Sequence, residues 1–293
     1  MVLCYSCRIF YDLKEKLSRF LGFIFKKYYT CGPLMIGGTV MGKIKIGLFG
    51  FGKTGKIVAN KIMSETDCIL EWVIRQHKEE LKYASQLLGY EFKQGEIFGK
   101  NDITEGFFRE NPVDVIIDFS SSKAVYEYYA AAQIEIPIVS AISKYEPEDL
   151  AVLKSYAEKT AVLYSPNITV GINILMVAAQ ILQNIAPHAD IEIVEEHFKE
   201  KKEVSGTAKK MAEVLSLKQS SIHSIRVGKT IGKHDIIFGF PNQTIRLMHE
   251  SVDRAAFGQG AIFAAKFLIK QSPGLYSMEQ IVSEMFKKHI PVY

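Results

Sequence analysis

Apolar positions along the chain follow two periods, and the order in which the periods alternate predicts the architecture. Residues 43–49 form a short β-rich apolar run, followed by Gly50-Phe51-Gly52-Lys53-Thr54-Gly55. Residues 56–63 then carry apolar positions at three- and four-residue steps with no breaker. Strand, glycine turn and helix are the prediction. Further strand-like runs at 113–119, 136–141 and 161–164 alternate with helical stretches at 123–133 and 147–159, and another run lies at 69–74. Parallel neighbours need a crossover between them, so this order calls for a Rossmann-type, doubly wound parallel sheet of the α/β class.

After Pro166-Asn167 the texture changes. Residues 171–185 read as one long apolar helix, and strand-like runs follow at 190–198, 222–227, 235–240 and 243–250. Only one helical stretch, 207–215, interrupts them. Strands in succession favour an antiparallel or mixed sheet with helices on one face, a smaller α+β unit. No internal repeat or low-complexity linker separates the two halves.

The first forty residues have a third texture. Phe10, Leu13, Leu17, Phe20, Leu21, Ile24 and Tyr28 recur at helical spacing among Lys14, Lys16, Arg19, Lys26 and Lys27, an amphipathic basic pattern. Its longest apolar stretch is far too short for a bilayer core of roughly 30 Å, and charges interrupt it too often for a secretory signal. One reading is a membrane-surface or partner-binding helix. The other, taken as the expectation, is a dispensable extension over residues 1–42, because Met41 is followed at once by the strand that opens the fold.

Composition changes this picture in two places. With 293 residues, 48% hydrophobic and 23% charged, the chain has enough apolar content for two ordinary domains, and wholesale disorder is excluded. The net charge of +4 lies entirely in the first 42 residues, where six basic side chains face two acidic ones. The body is neutral, so charge gives no argument for a nucleic-acid partner. Cys4, Cys7 and Cys31 also fall in that segment, leaving Cys68 alone in the body. A disulfide scaffold is excluded there, a reducing cytoplasm is the expected setting, and the single Cys4-x-x-Cys7 pair is too little for a metal site.

The glycine turn carries the first candidate chemistry. In G-x-G-x-x-G the first glycine permits the tight turn, the second admits a pyrophosphate, and the third lets helix and strand pack closely. Phosphates then rest on the unpaired N–H groups of the helix start. An NAD-selective site usually puts an acid at the end of the second strand; here Arg75 stands there, which suits a 2′-phosphate and argues for NADPH. A solvated strand-end arginine is the plain alternative. Strand ends at 118–122, 140–143 and 165–167 should line the same crevice, although each is also an ordinary polar turn.

The second candidate is the polar cluster from Glu195 to Thr207. His197 can deliver a proton near neutral pH, and Ser205-Gly206-Thr207 opens a helix that offers N–H groups and hydroxyls to a carboxylate. A solvated charged loop with a plain helix cap would look the same.

From Lys43 onward the chain resembles the 4-hydroxy-tetrahydrodipicolinate reductase (dihydrodipicolinate reductase) family. The motifs are Gly50-x-Gly52, Asp118-Phe119-Ser120, Ser165-Pro166-Asn167, Val170-Gly171-x-Asn173, Glu195-x-His197-x-x-x-Lys201, Ser205-Gly206-Thr207-Ala208, Arg226-x-Gly228-x-x-x-Gly232-x-His234 and Arg254-x-x-Phe257-x-x-Gly260-Ala261. The resemblance implies a dinucleotide-binding domain over 43–168, to which 256–293 return, and a substrate-binding and oligomerisation domain over 169–255. It implies a homotetramer without metal or membrane span, in which NADPH or NADH reduces a small dicarboxylate of the diaminopimelate and lysine pathway. Coenzyme contacts are expected at Gly50, Phe51, Gly52, Lys53, Thr54, Gly55, Arg75, Ser140, Ala141, Ile142, Ser165 and Asn167. By the same transfer His197 and Lys201 donate protons, and Ser205, Gly206 and Thr207 hold a substrate carboxylate.

The sequence departs from the family at three points. Phe198 replaces a second histidine, Glu203-Val204 stands in a loop one residue shorter and without proline, and Ser140-Ala141-Ile142 replaces Gly-Thr-Thr. Two alternatives therefore stay open: a reductase of another small dicarboxylate, and a nucleotide-sensing protein without turnover, against which the retention of His197 and Lys201 argues.

Overall fold

The computed structural model describes residues 42–77, 81–289 and 291. The amphipathic segment and Cys4-x-x-Cys7 of the sequence reading lie outside the described residues.

The large sheet has seven parallel strands. β1 (Ile44–Phe49) leads through the glycine turn into helix α1 (Lys53–Ser64), and β2 (Cys68–Arg75), β3 (Glu96–Gly99) and β4 (Val115–Asp118) follow. After a short helix α2 (Tyr129–Gln133) come β5 (Ile138–Ser140), α3 (Pro147–Ser155) and β6 (Ala161–Tyr164). A last strand, β11 (Gly274–Tyr276), joins the edge at β6, giving the order β11-β6-β5-β4-β1-β2-β3. The order reverses at β1, and a crevice opens beyond the carboxyl ends of the strands at that point.

Alternation along β1 divides the core between the two faces of this sheet. Ile46 and Leu48 join α1 and helix α6 (Ala255–Leu268) on one side, while Phe49 packs with Trp72, Phe107, Phe108 and Tyr128 on the other. A Cβ at Gly47 would lie 2.2 Å from the Trp72 ring, so the absent side chain is what lets the indole lie flat on β1. Burying each such aromatic contributes roughly 1.5–3 kcal/mol. Helix α7 (Met278–His289) is the last described element.

The small sheet is mixed. Helix α4 (Val170–Ile185) leads into β7 (Asp190–His197), α5 (Gly206–Val214) and β8 (Ile222–Arg226), then β9 (Lys233–Phe240) and β10 (Gln243–Glu250). The order is β10-β9-β7-β8, with β7 and β8 parallel and the other pairs antiparallel. Helix α5 is the crossover that the parallel pair requires. Ile191, Ile193, Ile236 and Phe238 face α4 and α5. The opposite face leaves Ile225, Val227 and Met248 exposed.

Two predicted helices differ in detail. The stretch 123–133 is a 3-10 turn over Ser122–Tyr126 followed by α2, because burial of the Tyr128 ring takes precedence over a regular helix. The stretch 147–159 is α-helical only to Ser155 and tightens into a 3-10 turn at Tyr156–Glu158.

Candidate active site

The glycine turn is built by two close approaches. Gly50 has φ +92°, a conformation that side chains disfavour, and a Cβ there would lie 2.8 Å from the Phe119 carbonyl. A Cβ at Gly55 would stand 2.0 Å from the carbonyl oxygen of Gly50, so only glycine lets α1 start this close to β1. Gly52 differs, because a Cβ there would meet nothing within 4 Å. The first intrahelical bond runs from the Lys56 N–H to the Gly52 carbonyl at 3.0 Å. The N–H groups of Lys53, Thr54 and Gly55 therefore precede the helical ladder, with no acid in the first turn and no side-chain cap. Unpaired N–H groups at a helix start of this kind suit an anionic group such as a pyrophosphate.

The second strand brings Arg75 to the same place. Its guanidinium lies 5.7 Å from the centroid of the buried Phe51 ring, and the Lys56 ammonium is also 5.7 Å from that centroid. Lys56 is missing from the sequence reading. Its signal, a basic residue one turn into the helix that follows the glycines, is weak without knowledge of where Phe51 turns.

The other strand ends form one stitched row. The Gly50 N–H bonds to the Ile74 carbonyl, Phe119 to Phe49, Ala141 to Asp118 and Ser165 to Ser140, all at 2.9–3.0 Å. Asp118 is fully buried, and burial pushes its carboxyl up to about 6 against the opposing hydrogen bonds from Ser120 and Tyr128. The Ser140 hydroxyl turns inward to the Tyr145 hydroxyl at 2.8 Å, and Ile142 is also buried. Ser165 donates to the Asn167 carbonyl at 3.0 Å, while the Asn167 side-chain oxygen accepts from the Thr207 hydroxyl at 3.0 Å. That last bond joins the two halves of the molecule at the crevice.

In the small sheet, alternation puts Glu195 and His197 on one face of β7. Glu195 is fully buried and is the centre of the cluster. It accepts two bonds from Arg226 at 3.0 and 2.6 Å, one from the Ser224 hydroxyl at 2.6 Å and one from the Ser205 N–H at 3.3 Å. It also pairs with His197 Nδ1. Burial alone would raise its pKa, but the bonds from Arg226, Ser224, His197 and Ser205 carry it down to about 2. His197 is held below the usual imidazole range by burial, with Lys201 and Arg226 acting in the same direction and Glu195 opposing. An ionised carboxylate at Nδ1 favours the ring proton there, which leaves Nε2 bare in the neutral ring. Lys201 sits close enough for its charge to disfavour protonation of both His197 and His234.

Ser205 is 3% exposed and its hydroxyl lies 3.1 Å from His234 Nε2. Gly206 and Thr207 open α5 beside it, at a helix start without a side-chain cap. The structure thus brings His197, Lys201 and Ser205 to Thr207 into one cluster, linked to Asn167 of the large sheet. Glu195, Arg226, Ser224 and His234 have no role in the sequence reading. Glu195 was legible as the residue two before His197 on a strand, whereas Arg226 required the β7–β8 register, which sets it opposite His197. Among the described residues no cluster of three or more His, Cys, Asp or Glu is placed to hold a metal, and no helix is long and apolar enough to cross a membrane.

A glycine turn on a parallel sheet, joined to a buried Glu195–His197–Arg226 cluster on a second sheet, fits a two-lobed nicotinamide-dependent oxidoreductase. Comparison with known proteins narrows the class: the profile for the dihydrodipicolinate reductase N-terminus matches residues 44–168, and that for its C-terminus matches 171–282. The chain belongs to the dihydrodipicolinate reductase family. It is 34% identical over 194 residues to the 4-hydroxy-tetrahydrodipicolinate reductase of Caldanaerobacter subterraneus subsp. tengcongensis, covering 58% of this chain and 77% of that one. It is 28% identical over 273 residues to the enzyme of the same name from Buchnera aphidicola subsp. Acyrthosiphon pisum, covering 82% of this chain and 98% of that one. A solved structure of dipicolinate-bound dihydrodipicolinate reductase from Paenisporosarcina sp. TG-14 shares the fold, with a TM-score of 0.69 at 24% identity over 82% of this chain and 99% of that one.

Proposed function

We propose that this chain reduces 4-hydroxy-tetrahydrodipicolinate to tetrahydrodipicolinate, the step named for its relatives, in diaminopimelate and lysine biosynthesis. The single observation that carries the reading is the Thr207–Asn167 bond, which sets the helix start proposed to hold substrate beside a strand end proposed to hold coenzyme. In this reading residues 43–168 and 256–293 bind the coenzyme and residues 169–255 bind substrate. When bound, the reduced nicotinamide supplies a hydride to the cyclic unsaturated substrate, whose hydroxyl leaves as water.

The residues of the chain do the rest. Gly50, Phe51, Gly52, Lys53, Thr54 and Gly55 hold the pyrophosphate, and Ser140, Ala141, Ile142, Ser165 and Asn167 line the nicotinamide end. Since the Ser140 hydroxyl is engaged with Tyr145, this stretch meets the coenzyme through its backbone. The Gly206 and Thr207 N–H groups and the Ser205 hydroxyl take one carboxylate of the substrate. His197 and Lys201 supply protons. His197 can donate from Nε2 only when the ring carries a second proton, which burial disfavours. The test is turnover of the full chain on substrate generated from pyruvate and aspartate semialdehyde by a coupling synthase, read as loss of reduced nicotinamide absorbance. Absence of coenzyme oxidation would overturn the assignment. Phe198, 36% exposed directly after His197, favours a second reading, a related small dicarboxylate, which the same assay run with alternative diacids separates.

NADPH is the proposed coenzyme, carried by Arg75 and Lys56 around the Phe51 ring, a pair of cations suited to a 2′-phosphate. Arg75→Asp is expected to lower kcat/KM for NADPH by roughly tenfold or more, as for loss of a charged hydrogen bond, while leaving NADH nearly unaffected. An unchanged coenzyme ratio would remove Arg75 from this role.

A cytoplasmic homotetramer is the proposed state. The outer face of the small sheet supports assembly there: it exposes Ile225, Val227 and Met248, and Asp235 Oδ1 is buried beside them without a partner. The expected solution mass by light scattering is that of four chains; a monomer at working concentration would contradict it.

A further inference from the structure

We propose that His234 is a positioning residue that turns the Ser205 hydroxyl proton toward the substrate carboxylate. The inference rests on the reading of Ser205 as a carboxylate contact and assigns the residue that makes that contact directional.

His234 projects from β9 and is 4% exposed. Its Nε2 lies 3.1 Å from Ser205 Oγ, and its Nδ1 is buried without any hydrogen-bond partner. Burial, reinforced by the nearby His197 and His249, pushes its pKa down to about 3, so the ring is neutral and carries one proton. Which nitrogen carries it follows from the surroundings. An orphaned buried N–H is rarer and more costly than an under-used acceptor, so the proton belongs on Nε2 and the bare lone pair on Nδ1. His234 is then the donor and Ser205 Oγ the acceptor.

That choice fixes the serine. Its N–H is directed at Glu195 and its carbonyl accepts from the Lys209 N–H at 3.0 Å. With the hydroxyl oxygen receiving the His234 proton, the hydroxyl hydrogen is the remaining donor of Ser205. It lies at the start of α5, beside the Gly206 and Thr207 N–H groups that converge on the same anion. The His234 ring also packs edge-on against His197 at 5.3 Å between centroids, so one side chain registers the carboxylate clamp against the proton donor.

The experiment compares His234→Asn, His234→Gln and Ser205→Ala in the full chain, using pyridine-2,6-dicarboxylate as the calorimetric probe in the presence of NADPH. Glutamine can place an amide N–H near the position of Nε2, whereas asparagine reaches only that of Nδ1. Ser205→Ala and His234→Asn are each expected to weaken diacid binding by about tenfold to a hundredfold, as for a lost hydrogen bond to a charged group. KM should rise in parallel and by a larger factor than any fall in kcat, with NADPH affinity within about threefold of the parent. His234→Gln is expected to restore most of the affinity, and Ser205→Ala/His234→Asn to bind no worse than Ser205→Ala alone. Full additivity in the double variant, or a normal His234→Asn beside a weakened Ser205→Ala, would overturn the role of His234 while leaving the carboxylate site intact. A normal Ser205→Ala would instead overturn the carboxylate site itself, and this inference with it.

Discussion

Lys201→Met is expected to lower kcat by a factor on the order of 10² to 10⁴ with NADPH affinity unchanged, the scale of a lost proton donor. The substitution should leave the loop in place. The Lys201 N–H bonds to the Phe198 carbonyl at 3.1 Å and its own carbonyl accepts from Arg226 Nε at 2.8 Å, so backbone contacts, and not the ammonium, fix residues 198–201. What disappears is charge, the same charge that disfavours protonation of His197. In the variant the imidazole becomes the remaining donor and is competent only when protonated. Its pKa is held below the usual imidazole range, so residual kcat should rise as pH falls on the acid side of neutrality. His197→Gln should cost a comparable factor without that acid-side rise. Stopped-flow rates of coenzyme oxidation across pH check both, and a Lys201→Met variant as fast as the parent would remove lysine from the chemistry.

Arg226→Met should have the largest effect on stability. It leaves Glu195 fully buried with its charge partner gone, and breaking such a pair costs about 3–5 kcal/mol. The urea midpoint should fall accordingly, and activity with it, since the carboxylate that orients His197 loses its own anchor. Glu195→Leu/Arg226→Met should recover much of the stability and none of the activity, because the fold needs the pair balanced while His197 needs the carboxylate. The cluster also predicts acid lability. Glu195 titrates near 2 in the fold against 4.5 unfolded, so its contribution is complete above 4.5 and is lost as pH falls toward 2. His234 works in the same direction between 6.5 and about 3, where the unfolded chain takes up a proton that the buried ring refuses. Equilibrium unfolding as a function of pH checks the sign; equal stability at pH 3 and pH 7 would contradict it.

Legibility in the sequence followed the range of the interactions. The strand at 161–164 and the strand at 243–250 coincide with the observed β6 and β10, because a bounded apolar run in the first and partial alternation in the second are local signals. Strands β3 and β11 were not legible from pattern: Glu-Ile-Phe-Gly and Gly-Leu-Tyr hold no bounded apolar run, and both strands depend on a neighbouring edge already in place. Helix α6 contains Gly258 and Gly260, which read locally as breakers. In the fold a Cβ at Gly260 would stand 2.0 Å from the Ile168 carbonyl, a reason that lies ninety residues away in the chain. The candidate site divides in the same manner. Gly50 to Gly55 and Ser205 to Thr207 announce themselves as contiguous motifs, whereas Arg226 and His234 join Glu195 only through strand register.

In the proposed mechanism an imidazole and an ammonium on the small sheet meet a nicotinamide held by the large one. A crystal structure of the full chain with NADPH and pyridine-2,6-dicarboxylate measures this directly. The diacid should stack on the nicotinamide with one carboxylate on the Ser205–Thr207 helix start, and His197 Nε2 and Lys201 Nζ should lie within hydrogen-bonding reach of it. A diacid bound elsewhere, or one bound to the coenzyme with both groups turned away, would contradict it.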